Sequence, residues 1–234
     1  MSRILVTGST DGLGRAAADS LLTLGHDVVV HARNPSRATA LDPLADRGAR
    51  VVVADFARRD EVEHLAAELP EPFDAVIHNA GVYTGPDIMP VNVIAPYLLT
   101  ALMPLPQRLV YLSSGSHYSG RPKPSGVVGS YADSKLFVTT LAAAVARLYP
   151  DVLSNAVDPG WVPTKMGGPG APDDLELGHR TQEWLVTSEE PRALVSGAYW
   201  YHQQMRAPHE AVNDEEFQER LLRTLAEETG VSLP

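Results

Sequence analysis

The chain has 234 residues, a formal net charge of -10 and no cysteine. That length suits one domain with a sizeable core, and the missing thiol excludes disulfides, thiolate nucleophiles and Cys-ligated metals. Only three of the nineteen basic residues are lysine (Lys123, Lys135, Lys165), and no basic cluster could follow a phosphate backbone, so nucleic acid is not an expected partner.

Short apolar runs alternate with helical patterns along the chain. Arg3–Val6 reads as a first strand, and Gly12–Leu24 as a helix with Gly25 as its stop. Asp27–His31 is a second strand, Ser36–Asp46 a second helix and Arg50–Ala54 a third strand. Arg58–Leu69 is helical and closed by Pro70. Phe73–His78 and Arg108–Leu112 are the fourth and fifth strands, and Tyr131–Leu148 is a long helix ended by Pro150. Val152–Val157 is a sixth strand and Ser196–His202 a seventh. Asp214–Glu228 reads as a final helix whose stripe of Phe217, Leu221, Leu222 and Leu225 packs on the body. Nearly all-apolar strands imply helices on both faces, and this alternation builds an α/β parallel sheet with right-handed crossovers. No apolar stretch is long enough to cross a bilayer, and the N-terminal apolar run is too short for a signal peptide. A soluble cytoplasmic protein is therefore expected.

In such sheets ligands bind at the carboxyl ends of the strands. The first strand is followed by Thr7-Gly8-Ser9-Thr10-Asp11-Gly12-Leu13-Gly14. Gly8, Gly12 and Gly14 permit a tight turn and close approach of a pyrophosphate to the helix N-terminus. Their spacing is G-x-x-x-G-x-G, not the commoner G-x-G-x-x-G. The second strand ends without a carboxylate, in Val30-His31-Ala32-Arg33. Arg33 there suits the 2′-phosphate of NADP(H) rather than the ribose of NAD(H). Ser9 offers a hydroxyl, and Arg15 and Arg37 lie close by. Asp55 and Phe56, after the third strand, are candidate adenine contacts. Asn79, Ala80 and Gly81, after the fourth, would let a nicotinamide lie close to the backbone.

Tyr131 and Lys135 are four residues apart and share a helix face. An ammonium nearby is expected to lower the tyrosine pKa toward the range of a general acid or base. Ser114 ends the apolar run Leu109–Leu112 in the register that faces a substrate oxygen, with Ser113 and Ser116 as competitors. Asn92 precedes Pro96 by four residues, so its carbonyl would lose its helical partner and could hold a water.

With Pro159-Gly160-Trp161-Val162-Pro163-Thr164, these motifs together resemble the short-chain dehydrogenase/reductase family over nearly the whole chain. The resemblance implies a Rossmann-type doubly wound sheet of about seven strands in one domain, residues 1–234, and an Asn92–Ser114–Tyr131–Lys135 tetrad. It implies that Thr164 contacts the nicotinamide carboxamide, that Pro159 and the backbone from Gly160 to Val162 line the ring, and that Leu13 joins the cofactor loop. It also implies a substrate cover over 165–190, with Trp161, Met166, His179 and Trp184 as candidate walls. The stretch Ser196–Trp200 is similar to the last strand of retinol-dehydrogenase-like members.

One region departs from the family pattern. Ten residues separate Gly81 from Asn92, three of them Gly85, Pro86 and Pro90, so no full helix fits. The family's usual subunit interface is therefore expected to be reduced, leaving a monomer or an atypical dimer. The expected activity is an NADP(H)-dependent carbonyl reductase or alcohol dehydrogenase acting on a small molecule, with no metal. A nucleotide-sensing protein on the same fold is the rival, and a sugar-nucleotide epimerase a weaker third.

Overall fold

The computed structural model describes residues 1–124 and 129–234. Eight strands form one sheet in the order β3-β2-β1-β4-β5-β6-β7-β8. They are β1 (Arg3–Val6), β2 (Asp27–Ala32), β3 (Arg50–Val53), β4 (Ala75–His78), β5 (Arg108–Leu112), β6 (Leu153–Asp158), β7 (Tyr199–Tyr201) and β8 (Gln204–Arg206). Every pairing is parallel except β7 with β8, which run antiparallel through a tight turn at His202 and Gln203. The eighth strand is a three-residue edge hairpin, too short and polar to stand out as a strand in the sequence.

Side chains alternate across the sheet, as strand geometry requires. Leu5, Val29, Val76, Leu109 and Tyr111 face one core with α4 (Arg59–Glu68), α5 (Ala95–Leu102), α6 (Tyr131–Leu148) and α8 (Glu215–Thr229). Ile4, Val6, Val30, Ile77 and Val110 face the other with α1 (Gly12–Thr23) and α7 (Leu175–Thr187). The expected second helix is instead two short turns, α2 (Pro35–Ala38) and α3 (Asp42–Ala45), joined by a 3-10 turn. Pro43 stands inside the predicted span, and it splits the segment because proline lacks the donor a continuous helix needs.

The connection after β4 carries no long helix, as its glycine and prolines imply. Residues Pro90–Ile94 form a π turn, in which Ala95 N–H bonds to the Pro90 carbonyl. Pro96, which has no N–H, follows directly. The C-terminal helix lies on the α5/α6 face: Phe217, Leu221 and Leu225 are buried there, and Tyr97 on α5 donates to the Val231 carbonyl at 2.7 Å.

Two buried histidines tie this architecture to pH. His78 is stacked on Tyr111 at 4.7 Å and His31 on Phe56 at 4.0 Å. Burial holds His78 down to about 3 and His31 to about 4, against 6.5 for a free imidazole. Between pH 4 and 6.5 the unfolded chain therefore binds more protons, so stability rises with pH in that window and is lost as pH falls through it. Around pH 5 the two groups should contribute a slope of roughly 3 kcal/mol per pH unit. Urea midpoints at pH 7, 6 and 5 check this, and a midpoint that stays constant over the range would contradict it.

Candidate active site

The parallel strands place their carboxyl ends on one edge, and there the predicted residues gather. Gly8 and Gly12 adopt left-handed backbone, with φ of 67° and 54°. A Cβ on Gly14 would collide with the Asn79 amide and the Gly8 carbonyl. That close approach lets Asn79 Nδ2 donate to the Thr7 carbonyl at 2.9 Å and the Gly8 carbonyl at 3.1 Å, lacing β1 to β4. Thr7 Oγ1 accepts from both Asn79 and Ala80 N–H at 3.0 Å. Asp11 caps α1 through Gly12 N–H.

His31 is a feature the sequence reading missed. Its Nδ1 accepts from Gly8 N–H at 3.0 Å, and its Nε2–H donates to the Ala54 carbonyl at 2.8 Å. The imidazole thus fixes the glycine loop from beneath. Ser9 departs from expectation: it is fully buried, its hydroxyl donates to the Val6 carbonyl and accepts from His31 N–H, and its own N–H bonds to the His31 carbonyl. The short turn after β1 points this hydroxyl inward, so it has nothing left to offer a phosphate. Arg15 donates one N–H to the Ala40 carbonyl. Arg37 reaches Thr10 Oγ1 at 2.8 Å and Asp11 at 3.9 Å. Arg33 is exposed just past β2 and makes no ion pair among the described residues. Asp55 accepts from Ala57 N–H at 3.0 Å, and the Phe56 ring is turned into the core.

A cavity of about 580 Å³ opens beside this loop. Leu13, Ser114, Tyr131, Pro159, Gly160, Val162 and Thr164 line it. Ser130 starts α6 with a capping box: its hydroxyl accepts from Asp133 N–H, and the Asp133 carboxylate accepts from Ser130 N–H. Helical spacing then sends Tyr131 toward the cavity and Lys135 behind it, with the Lys135 ammonium 5.5 Å from the Tyr131 ring centre. The Lys135 Nζ donates to the Leu112 carbonyl at 2.7 Å. Its own burial drags the amine down to about 8.

Ser113, Ser114 and Ser116 all line the cavity. Ser113 is buried, and its hydroxyl bonds to Thr139 Oγ1 at 2.5 Å, inside the core. Ser114 accepts from Ser116 N–H at 3.2 Å and meets the Tyr131 phenol, while His117 Nδ1–H holds its carbonyl at 2.8 Å. The Asn92 side chain brackets Val82, accepting from its N–H at 2.8 Å and donating to its carbonyl at 3.0 Å. It also donates to Ser134 Oγ at 3.0 Å. A Cβ on Gly81 would stand 3.4 Å from Asn92 Oδ1 and 3.7 Å from Lys135 Nζ, so both side chains converge on that glycine.

The Tyr131 pKa moves opposite to expectation. Burial pushes it up to about 12; the Ser114 hydroxyl opposes the rise, and the nearby Asp158 carboxylate and Tyr83 phenol add to it. In a low-dielectric site desolvation outweighs an ammonium whose hydrogen bond goes elsewhere. The phenol is thus held as a proton donor.

Beyond β6, Thr164 lies on the glycine loop: a Cβ on Gly12 would be 3.0 Å from its methyl. Gly178 on α7 lets Val162 and Leu13 pack closely beneath. Trp161 and Met166 line the cavity as expected. His179 and Trp184 do not. The face of α7 that carries them turns toward α1 and β7, so His179 pairs with Glu183, whose other oxygen accepts from Ser20 on α1, and Trp184 packs edge-on to Trp200 at 5.2 Å. Tyr83, Asp158 and Asp173 line the cavity without having been singled out. Among the described residues no group of three His, Asp or Glu side chains could hold a metal, and no helix is long and apolar enough to cross a membrane.

The buried amine makes a checkable prediction. The unfolded chain holds the Lys135 proton to about 10.5, the folded protein only to about 8. Across that window the unfolded state binds more protons, so stability contributed by this group rises with pH. Relative to Lys135→Met, the wild type should gain up to about 3 kcal/mol between pH 7.5 and 10.5 in urea unfolding. An identical pH dependence in the two proteins would count against it.

The sequence profile for short chain dehydrogenases matches residues 2–174. An uncharacterized oxidoreductase of Emericella nidulans is 38% identical, with 100% of this chain and 99% of that protein aligned. Among solved structures, an uncharacterized Mycobacterium paratuberculosis protein superposes with a TM-score of 0.84 at 19% identity, covering 100% of this chain and 95% of that one. A Shigella flexneri protein assigned as a short chain dehydrogenase, solved in complex with NADP, superposes with a TM-score of 0.72 at 25% identity, covering 87% and 97%. With its Rossmann-type sheet, its glycine loop, Tyr131 on the cavity and Lys135 behind it, the chain belongs to the short-chain dehydrogenase/reductase family of oxidoreductases.

Proposed function

We propose that this protein is an NADP(H)-dependent carbonyl reductase or alcohol dehydrogenase whose proton relay is Asn92–Ser114–Tyr131–Lys135. The carrying observation is that Ser114 and Tyr131 line one cavity with Leu13 and Thr164 of the cofactor-loop side. The glycine turn fits a dinucleotide. Its left-handed Gly8 and Gly12, and the Gly14 position that admits no side chain, make a cradle that a Cβ would fill. When bound, the nicotinamide supplies or accepts the hydride.

The chain's own residues do the rest. Tyr131, protonated up to high pH, gives its proton to the carbonyl oxygen. Ser114 donates to the same oxygen as charge develops there. Lys135 would hold a ribose hydroxyl and back the phenol, and Asn92 positions the Val82 backbone and Ser134 beneath it. Arg33, with Arg37 beside it, would receive the 2′-phosphate; Asp55 and the Phe56 backbone would meet the adenine. Asn79, Ala80, Gly81, Pro159, Gly160 and Val162 would flank the nicotinamide. Residues 161–173 cover the substrate rather than the whole of 165–190, because α7 packs on α1. The C-terminal helix on the α5/α6 face supports a monomer or an atypical dimer.

Tyr131→Phe should cut kcat for NADPH-dependent reduction across a carbonyl panel by about 10²–10⁴-fold, with cofactor affinity kept. Tight NADPH binding with no turnover of any compound by either protein would favour a nucleotide sensor instead. Arg33→Ser should raise the KM for NADPH by roughly tenfold or more while leaving that for NADH nearly unchanged, the loss of one charge-assisted hydrogen bond. Equal effects on both cofactors would point away from a 2′-phosphate contact.

A further inference from the structure

The cavity wall carries an unusual balance of charge. Two carboxylates, Asp158 and Asp173, face it, and among the described residues no lysine, arginine or histidine lines it. Asp173 accepts from Trp161 N–H at 2.6 Å, and Asp158 is the carboxylate near enough to Tyr131 to act on its phenol. Asp158 is held but not filled. Its Oδ1 accepts from Gly160 N–H at 2.9 Å and its Oδ2 from the Tyr199 hydroxyl at 3.0 Å. Each carboxylate oxygen can accept a second hydrogen bond. No ion pair reaches Asp158 among the described residues. The residue facing Oδ2 is Gly115, where a Cβ would stand 3.3 Å away, so no side chain covers the carboxylate from that side.

The cavity mouth differs in character. Tyr83 stands edge-on to Tyr131 with ring centres 4.8 Å apart and is 57% exposed; Trp161 is 60% exposed, its indole N–H fixed by the Gly167 carbonyl at 2.8 Å. Met166 and Tyr201 complete this rim, and Tyr201 is braced by the Arg206 guanidinium at 4.0 Å. Flat side chains held in place around a polar floor favour a flat, conjugated ligand body.

We propose that the cavity takes aryl or conjugated carbonyl compounds that carry a hydrogen-bond donor, neutral or cationic, near the reacting carbon, and that Asp158 is the specificity-determining acceptor that turns carboxylates and phosphates away. This rests on the reductase reading above. Asp158 also adds to the upward push on the Tyr131 pKa, as expected of a carboxylate sharing the phenol's low-dielectric surroundings. Its charge is therefore felt at the phenol.

The test is a matched series of aryl methyl ketones bearing, at the meta or para position, an aminomethyl, hydroxymethyl, methyl or carboxylate group. In the wild type, kcat/KM with NADPH should be highest for the aminomethyl or hydroxymethyl ketone. It should exceed that of the carboxylate ketone by at least about tenfold, a separation expected of one partly desolvated charge contact. Asp158→Asn keeps the size of the side chain and an acceptor for Gly160 while removing the charge. It should shrink the aminomethyl-to-carboxylate ratio to within about threefold. That ratio does not depend on the folded fraction, and Asp158→Ser gives a second route to it. An unchanged ratio in both variants, or a wild type that reduces the carboxylate ketone as readily, overturns the inference. Tyr131→Phe separates the two levels. If the methyl ketone is reduced in a Tyr131-dependent way while the charge ranking is flat, only the role of Asp158 falls. If no aryl ketone is reduced but aliphatic carbonyls are, the substrate class falls and the reductase stands. If Tyr131-dependent turnover appears on no carbonyl, both fall together.

Discussion

One buried hydrogen bond holds the site together: the Lys135 ammonium reaching the Leu112 carbonyl at the end of β5. Burying an amine is costly, and the depressed pKa records that cost. In exchange the first turn of α6 is fixed against the strand end. One turn deeper, Ser113 and Thr139 join the same two elements again. Tyr131 and Ser114 are thus set by a helix–strand clamp rather than by loops, and Asn92 braces the opposite side through Val82 and Ser134. In the proposed reaction a phenol and a hydroxyl share one oxygen, and such a site needs this rigidity, because a small misplacement forfeits much of the proximity effect.

The cofactor side follows the same logic with glycine in place of lysine. The absence of a side chain at Gly14 lets the Asn79 amide reach two carbonyls of the first loop, and the His31 imidazole takes the Gly8 N–H from below. The histidine stays neutral because it is buried and stacked on Phe56. Ser9 is drawn into this network and so leaves the surface. Cationic character at the edge then falls to Arg33 and Arg37, while the substrate side is acidic. The two halves of the proposed cleft thus differ in the sign of the charge they carry.

The shortened connection after β4 and the C-terminal helix belong together. Proline at 90 and 96 limits that connection to a π turn and the eight residues of α5. Phe217, Leu221 and Leu225 pack on the α5/α6 face from the same chain.

Periodicity and punctuation made most of this fold readable in advance. β5 and α6 begin and end where alternation, Ser130 and Pro150 place them, and the glycine loop, Tyr131 and Lys135 declare themselves by spacing on contiguous elements. Those signals are local, so a sequence carries them whole. The three-residue strand β8 was hidden because an edge hairpin buries too little to impose a pattern. His31, Asp158 and Tyr83 were hidden for a different reason: each matters only through a neighbour distant in the chain. The direction of the Tyr131 shift belongs with them. Spacing fixes which residue stands four positions from the phenol, but how much water the phenol loses is a property of the packed cavity, and that loss decides its protonation.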